Sequence, residues 1–216
     1  RVYKVNMTMF PDFEQDAGQY LFVIGDTSVS GDSTPPTVLG ASPADGDTAI
    51  ATSISPVVVI SEELRELSSG VPNAVVDLMK VSDNSLVDCG ISSVATVTGA
   101  ARAGTSTTIQ LASGELDEDD IYNGAYIELT GGAGQSGTLV AITDYTGSTQ
   151  TATVAAWPAG SPDSTTTYKI HATKITIDPD SALANSTEYA VLVAGAKDKA
   201  GNVQTDIFKS NFTTAS

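Results

Sequence analysis

Carboxylates are the main chemical resource of this chain. Asp and Glu number 26 against 10 Lys and Arg, giving a formal net charge of −16. Their densest run is Glu115, Asp117, Glu118, Asp119 and Asp120. Clustered carboxylates repel one another unless a cation sits among them, so this run reads as a solvated loop or a calcium loop. It lacks the D-x-D-x-D-G order of an EF-hand. Catalytic chemistry finds little else to work with. His171 is the single histidine and Cys89 the single cysteine. A Ser-His-Asp centre would need His171, yet no Gly-x-Ser-x-Gly elbow appears, and one His with one Cys cannot supply the four ligands of zinc. The stretch Thr130–Gly137 is rich in glycine but lacks the Lys-Ser/Thr of a P-loop, so it reads as a turn between strands. We assign no catalytic residue, expect no enzyme, and find no cofactor required.

Aromatic residues offer a second kind of site. Trp157 with Tyr122, Tyr126 and Tyr145 could form a sugar-stacking face, a flat apolar surface with polar tips; more often a lone Trp in a small β domain is simply its core. The acidic balance argues against nucleic acid, whose phosphates call for a Lys/Arg surplus, and against anionic membrane surfaces. No run approaches the ~20 apolar residues of a membrane span, and Arg1 opens no signal peptide. Cys89, with no second cysteine to pair with, reads as a small apolar residue of a strand.

The elements that must position these residues are strands. Charged residues make up 17% and aromatics 6% of the chain, while Thr, Ser, Ala, Gly and Val dominate. Such a composition favours many short strands joined by Gly/Asp/Ser turns, so the fold class is all-β. Residues 1–33 stand apart. Val5, Met7 and Met9 alternate with polar neighbours, and Tyr20 and Phe22 belong to a second apolar run ending at Ile24. Two strands are not stable alone, so this segment pairs with its own domain's sheet, completes a preceding domain, or is donated to a neighbouring subunit. Ser28–Pro36 reads as a linker. Beyond it, Pro36–Ser42, Ile54–Ser61, Val75–Val81 and Leu86–Ile91 read as strands, and the run Val57-Val58-Val59-Ile60 suggests burial on both faces. Ile175 and Ile177 alternate inward in a later strand, and Tyr189–Gly195 forms another.

The phrases Thr34-Pro35-Pro36-Thr37-Val38, Ser42-Pro43-Ala44-Asp45-Gly46, Lys197-Asp198-Lys199-Ala200-Gly201-Asn202 and Phe212-Thr213-Thr214 together resemble bacterial Ig-like domains of secreted, surface-attached and virion proteins. The resemblance implies an Ig-like β-sandwich built from residues 34–93 and 171–216, with Tyr189 as its structural corner tyrosine. It also implies that the loop carrying Asp198 lies at the pole near the interdomain linker. There Asp32, Glu62, Glu63, Asp198 and Asn202 could hold calcium through oxygen ligands. Asp198 to Asn202 is equally explained as a turn, with Gly201 at the position needing positive φ. Residues 94–170 interrupt this frame. Their phrases Ala103-Gly104-Thr105-Ser106-Thr107-Thr108-Ile109, Asp119-Asp120-Ile121-Tyr122-Asn123-Gly124 and Ile142-Thr143-Asp144-Tyr145 resemble a small β module of phage virion proteins. The expectation is a non-enzymatic structural protein of an extracellular assembly, a virion component or a bacterial surface filament or adhesin, whose Ig-like domain displays the inserted module outward. Its partners would be itself or other structural subunits through strand pairing, with surface glycans as the alternative reading.

Overall fold

The computed structural model describes residues 32–216. Short β-favouring runs are broken every few residues by Gly, Asp, Ser or Pro, so strands are the dominant regular structure. The first part of the chain forms β1 (Val38–Ser42), β2 (Asp47–Ile50), β3 (Val57–Ile60), β4 (Glu66–Ser68), β5 (Val71–Pro72), β6 (Val75–Lys80), β7 (Ser85–Val87) and β8 (Cys89–Val94). The middle forms β9 (Val97–Ala100), β10 (Ala103–Gly104), β11 (Thr108–Gln110), β12 (Tyr126–Gly131), β13 (Val140–Thr146), β14 (Thr151–Val154) and β15 (Thr167–His171). The last part returns as β16 (Thr173–Pro179), β17 (Glu188–Ala194) and β18 (Phe208–Thr214).

Strands β1, β3, β16 and β8 make a four-stranded sheet in that order, and β2, β18, β17, β6 and β7 a five-stranded one. Val58, Ile60, Ile175 and Ile177 from the first meet Val191 and Phe212 from the second in one buried core. This is the Ig-like β-sandwich expected from the sequence. Its corner is closed as anticipated, with the Ala184 N–H donating to the Tyr189 hydroxyl at 2.9 Å. One expected strand divides in two. Leu86–Ile91 is not a single strand, because the chain crosses at Asp88 from β7 in the five-stranded sheet to β8 in the four-stranded one. A run that switches sheets keeps its alternation, so the pattern alone hides the crossing.

The middle strands form a seven-stranded sheet in the order β10-β11-β14-β13-β12-β15-β9. Its two outer strands are neighbours in sequence, separated only by Ala101 and Arg102, so the sheet must curl into a small barrel. Through the bend the chain stays bonded on both sides, Ala101 N donating to the Thr166 carbonyl beside β15 and Arg102 N to the Gln110 carbonyl of β11. The Arg102 side chain anchors the β11 side, donating to the Leu111 carbonyl at 2.7 Å and the Gln150 side chain at 2.7 Å.

The barrel does not project from a loop. Leu39 of β1 and Val59 of β3 point out of the sandwich and pack into the barrel's core beside Ala172. The run Val57–Ile60 is therefore buried on both faces, with Val58 and Ile60 in one core and Val59 in the other. Gly40 keeps β1 close to the barrel, since a Cβ there would lie 3.3 Å from the Ile121 side chain. Farther along β1, the Ser42 hydroxyl donates to Glu118 at 3.1 Å. Only Ala95-Thr96 joins β8 to β9, and Ala172 alone joins β15 to β16. The barrel thus lies along the flank of the sandwich on two very short joins.

Candidate cation site at the entry pole

The end of β3 and the start of β16 lie side by side, with Ile60 paired to Thr173. This places Ser61–Arg65 at one pole of the sandwich. Thr173 fixes the loop: its N–H and hydroxyl donate to the Glu62 carbonyl at 3.2 and 2.9 Å, and its hydroxyl accepts the Leu64 N–H at 2.9 Å. Across the pole stands the loop after β17. Arg65 N donates to the Lys197 carbonyl, and Leu64 forms a β-bridge with Asp198.

Asp198 is 1% exposed. Its Oδ1 accepts the N–H groups of Gly201 and Asn202 at 2.5 and 2.8 Å, and its Oδ2 accepts the Asn202 side-chain amide at 2.7 Å. Gly201 sits at φ +101°, where a side chain would be strained, so the turn reading of this segment holds. The same Asn202 amide reaches the carbonyls of Asp32 and Thr34 at 3.2 and 3.3 Å and pins the incoming chain onto the pole.

Oxygen atoms of Asp32, Glu62 and Asp198 come within 4.8 Å of one another. Burial, followed by the nearby charges of Asp198 and Asp32, pushes the Glu62 carboxyl up to about 7. Three carboxylates this close need a proton or a cation between them, and an all-oxygen set suits a hard divalent ion such as calcium. Asn202 supports the site by orienting Asp198. Glu63 does not join it. Its Oε1 lies 3.3 Å from Lys169 and 3.4 Å from His171 Nδ1, and its Oε2 pairs with Lys199. Burial pushes the Glu63 carboxyl up, but Lys199 and Lys169 together hold it below its ordinary value. His171 also contacts Glu128 through Nε2 at 3.1 Å. Adjacent glutamates are thus divided, Glu62 to the pole and Glu63 to the seam with the barrel. No spacing in the sequence announces that seam, because Lys169 and His171 reach Glu63 only once the barrel is seated.

The acidic run of the barrel has a different use. Glu115 accepts the Tyr122 and Tyr168 hydroxyls at 2.9 and 3.0 Å, Asp119 accepts the Gly147 N–H at 2.8 Å, and Asp120 accepts the Asn123 amide at 2.7 Å. Each of these carboxylates has its own partner, so the run fastens the barrel's end. Burial pushes the hydroxyls of Tyr122, Tyr145 and Tyr168 well above the usual tyrosine value.

The sugar-stacking face is not formed. Tyr122 is 0%, Tyr145 1% and Trp157 7% exposed; of the four, only Tyr126 is open to solvent, at 50%. Tyr122 and Tyr145 meet edge to face with ring centres 5.0 Å apart inside the barrel, and the Trp157 indole donates to the Thr108 carbonyl at 3.2 Å. Large rings with a satisfied polar tip are filling the core here. The assembly residues Val5, Met7, Met9, Tyr20 and Phe22 lie outside the described residues.

Among the described residues no helix is long and apolar enough to cross a membrane. No curated protein and no solved structure matches the chain. A family model for the bacterial Ig-like domain does match, over residues 136–214. That span holds β16, β17 and β18 of the sandwich together with the barrel strands β13, β14 and β15. Domains of this kind are typical of bacterial surface and structural proteins and are generally non-enzymatic, and the match supports the Ig-like reading of the sandwich.

Proposed function

We propose that this chain is a non-enzymatic structural module of an extracellular assembly, on a bacterial surface or a virion. Its Ig-like sandwich acts as a rigid spacer carrying the barrel of β9 to β15 on its flank. The observation that carries this reading is the placement of the two ends. Asp32 enters beside Asn202 at one pole, whereas Ala215 leaves at the other, where its N–H donates to the Ile50 carbonyl. A module entered at one pole and left at the other can be strung in series. A divalent cation held by Asp32, Glu62 and Asp198 would stiffen the entry joint, because Asp32 belongs to the incoming segment and the other two to the sandwich.

The proposed assembly segment lies within residues 1–33 and pairs with a sheet edge of another subunit through Val5, Met7, Met9, Tyr20 and Phe22. Negative-stain microscopy of the chain with and without residues 1–31 tests this. Filaments or rings that vanish on deletion are expected. Isolated particles from both forms, in calcium and in chelator, would refute assembly by this segment.

A further inference from the structure

Four sheet faces make up the sandwich. The two inner faces meet in the core, and the barrel covers the outer face of the four-stranded sheet at Leu39 and Val59. On the outer face of the five-stranded sheet no further buried core cluster forms among the described residues, although Ala190 itself is closed off from solvent. In the sheet's central strand, Glu188–Ala194, the last five residues Ala190-Val191-Leu192-Val193-Ala194 are all apolar. The comparable run Val57–Ile60 in β3 is apolar throughout because something packs on each side of it, and such runs mark strands covered on both faces. Val191 and Val193 point into the core, so Ala190, Leu192 and Ala194 point out. Around them on the same face stand Val75 and Leu86, 60% and 62% exposed, with Ile207 at 74% just before β18.

The charges that flank the centre of this face are complementary under a two-fold axis; Glu188, at the far end of β17 on the same face, accepts the Asn211 side-chain amide at 2.8 Å and falls at the rim. Leu192 is paired with Asp77 on one side and with Lys209 on the other. Neither of those two residues forms an ion pair among the described residues. A two-fold axis lying in the face along β17 exchanges the two sides. It sets Asp77 of each copy against Lys209 of the other, with Leu192 on the axis. The same operation brings Val75, paired to Ala194, over the side occupied by Ile207.

We propose that the outer face of the five-stranded sheet is a homodimer interface, in which a second copy of this chain packs face to face about Leu192. Such a contact is isologous: one patch, complementary to itself, closes the pair. Aligned packing of two twisted sheets is the ordinary geometry for it. The interface uses no residue of the entry pole and none of residues 1–31, so it is independent of assembly through the N-terminal segment.

Sedimentation of the full chain from micromolar to submillimolar concentration tests it. A concentration-dependent dimer is expected. Leu192→Arg abolishes it, and Asp77→Lys weakens it by about tenfold or more by setting lysine against lysine. Asp77→Lys combined with Lys209→Asp restores the original affinity, which a merely misfolded variant could not do; circular dichroism checks that each variant is folded. A chain monomeric throughout that range overturns the proposal, as does a dimer indifferent to all three changes. If dimers form only after residues 1–31 are removed, that segment covers the face and the proposal fails.

Discussion

Replacing Glu62 by Gln isolates the electrostatics of the entry pole. The Glu62 carboxyl is raised from 4.5 to about 7, first by burial and then by Asp198 and Asp32. At full value this corresponds to roughly 3 kcal/mol, since each pH unit is worth about 1.4 kcal/mol. Glu62 is only half-buried, and solvent screening reduces the effect to on the order of 1–2 kcal/mol. The sign follows from linkage. The folded state holds the proton more tightly than the unfolded chain, so the stabilisation is complete below the ordinary carboxylate value and is lost as pH rises through about 7. In chelator, the wild-type chain should therefore lose on the order of 1–2 kcal/mol relative to Glu62→Gln between pH 5 and pH 8. Calcium should reverse the order at pH 8, because a cation neutralises the three carboxylates of the wild type but finds only two in the variant. Urea unfolding at several pH values, with chelator and with calcium, measures both effects. Parallel pH profiles for the two proteins, or equal stabilisation of both by calcium, would refute the electrostatic account.

Three further changes probe the frame and the barrel. Tyr189→Phe removes the acceptor of the Ala184 N–H and should cost about 1–2 kcal/mol in chemical denaturation. Val59→Ala thins the packing between sandwich and barrel and should lower stability by about 2 kcal/mol. Calorimetry should then show the single transition broadening or splitting as the two cores uncouple. Gly147→Ala would drive a methyl group into the Asp117 carbonyl and should destabilise the barrel by about 2 kcal/mol or more, read by thermal unfolding.

Much of the sandwich was legible because its signals are local. The Val57–Ile60 run, the alternation at Ile175 and Ile177, and the corner at Tyr189 each depend on neighbours within one strand or turn. What stayed hidden depends on chain crossings and on docking. The division of Ser85–Val94 between two sheets at Asp88 leaves no mark on the apolar pattern. The candidate site was partly legible. Asp32, Glu62 and Asp198 converge, and Asn202 orients Asp198. Glu63 was misplaced because its lysine and histidine partners come from barrel and loop residues far away in sequence. The aromatic set left two readings open for a plainer reason: Trp and Tyr serve either a sugar face or a barrel core, and burial puts Trp157, Tyr122 and Tyr145 in the core.

The way the barrel is joined to the sandwich has a mechanical consequence. Val94 and Lys174, which flank the two joins, are paired neighbours in the same sheet. Tension applied between the two poles runs through the sandwich, and the barrel feels no pull while β8 and β16 stay zipped together. Once they part, residues 97–171 can pay out roughly 250 Å of chain. A module that looks like a short, stiff strut therefore stores a long tether, released only after the strut itself has begun to fail.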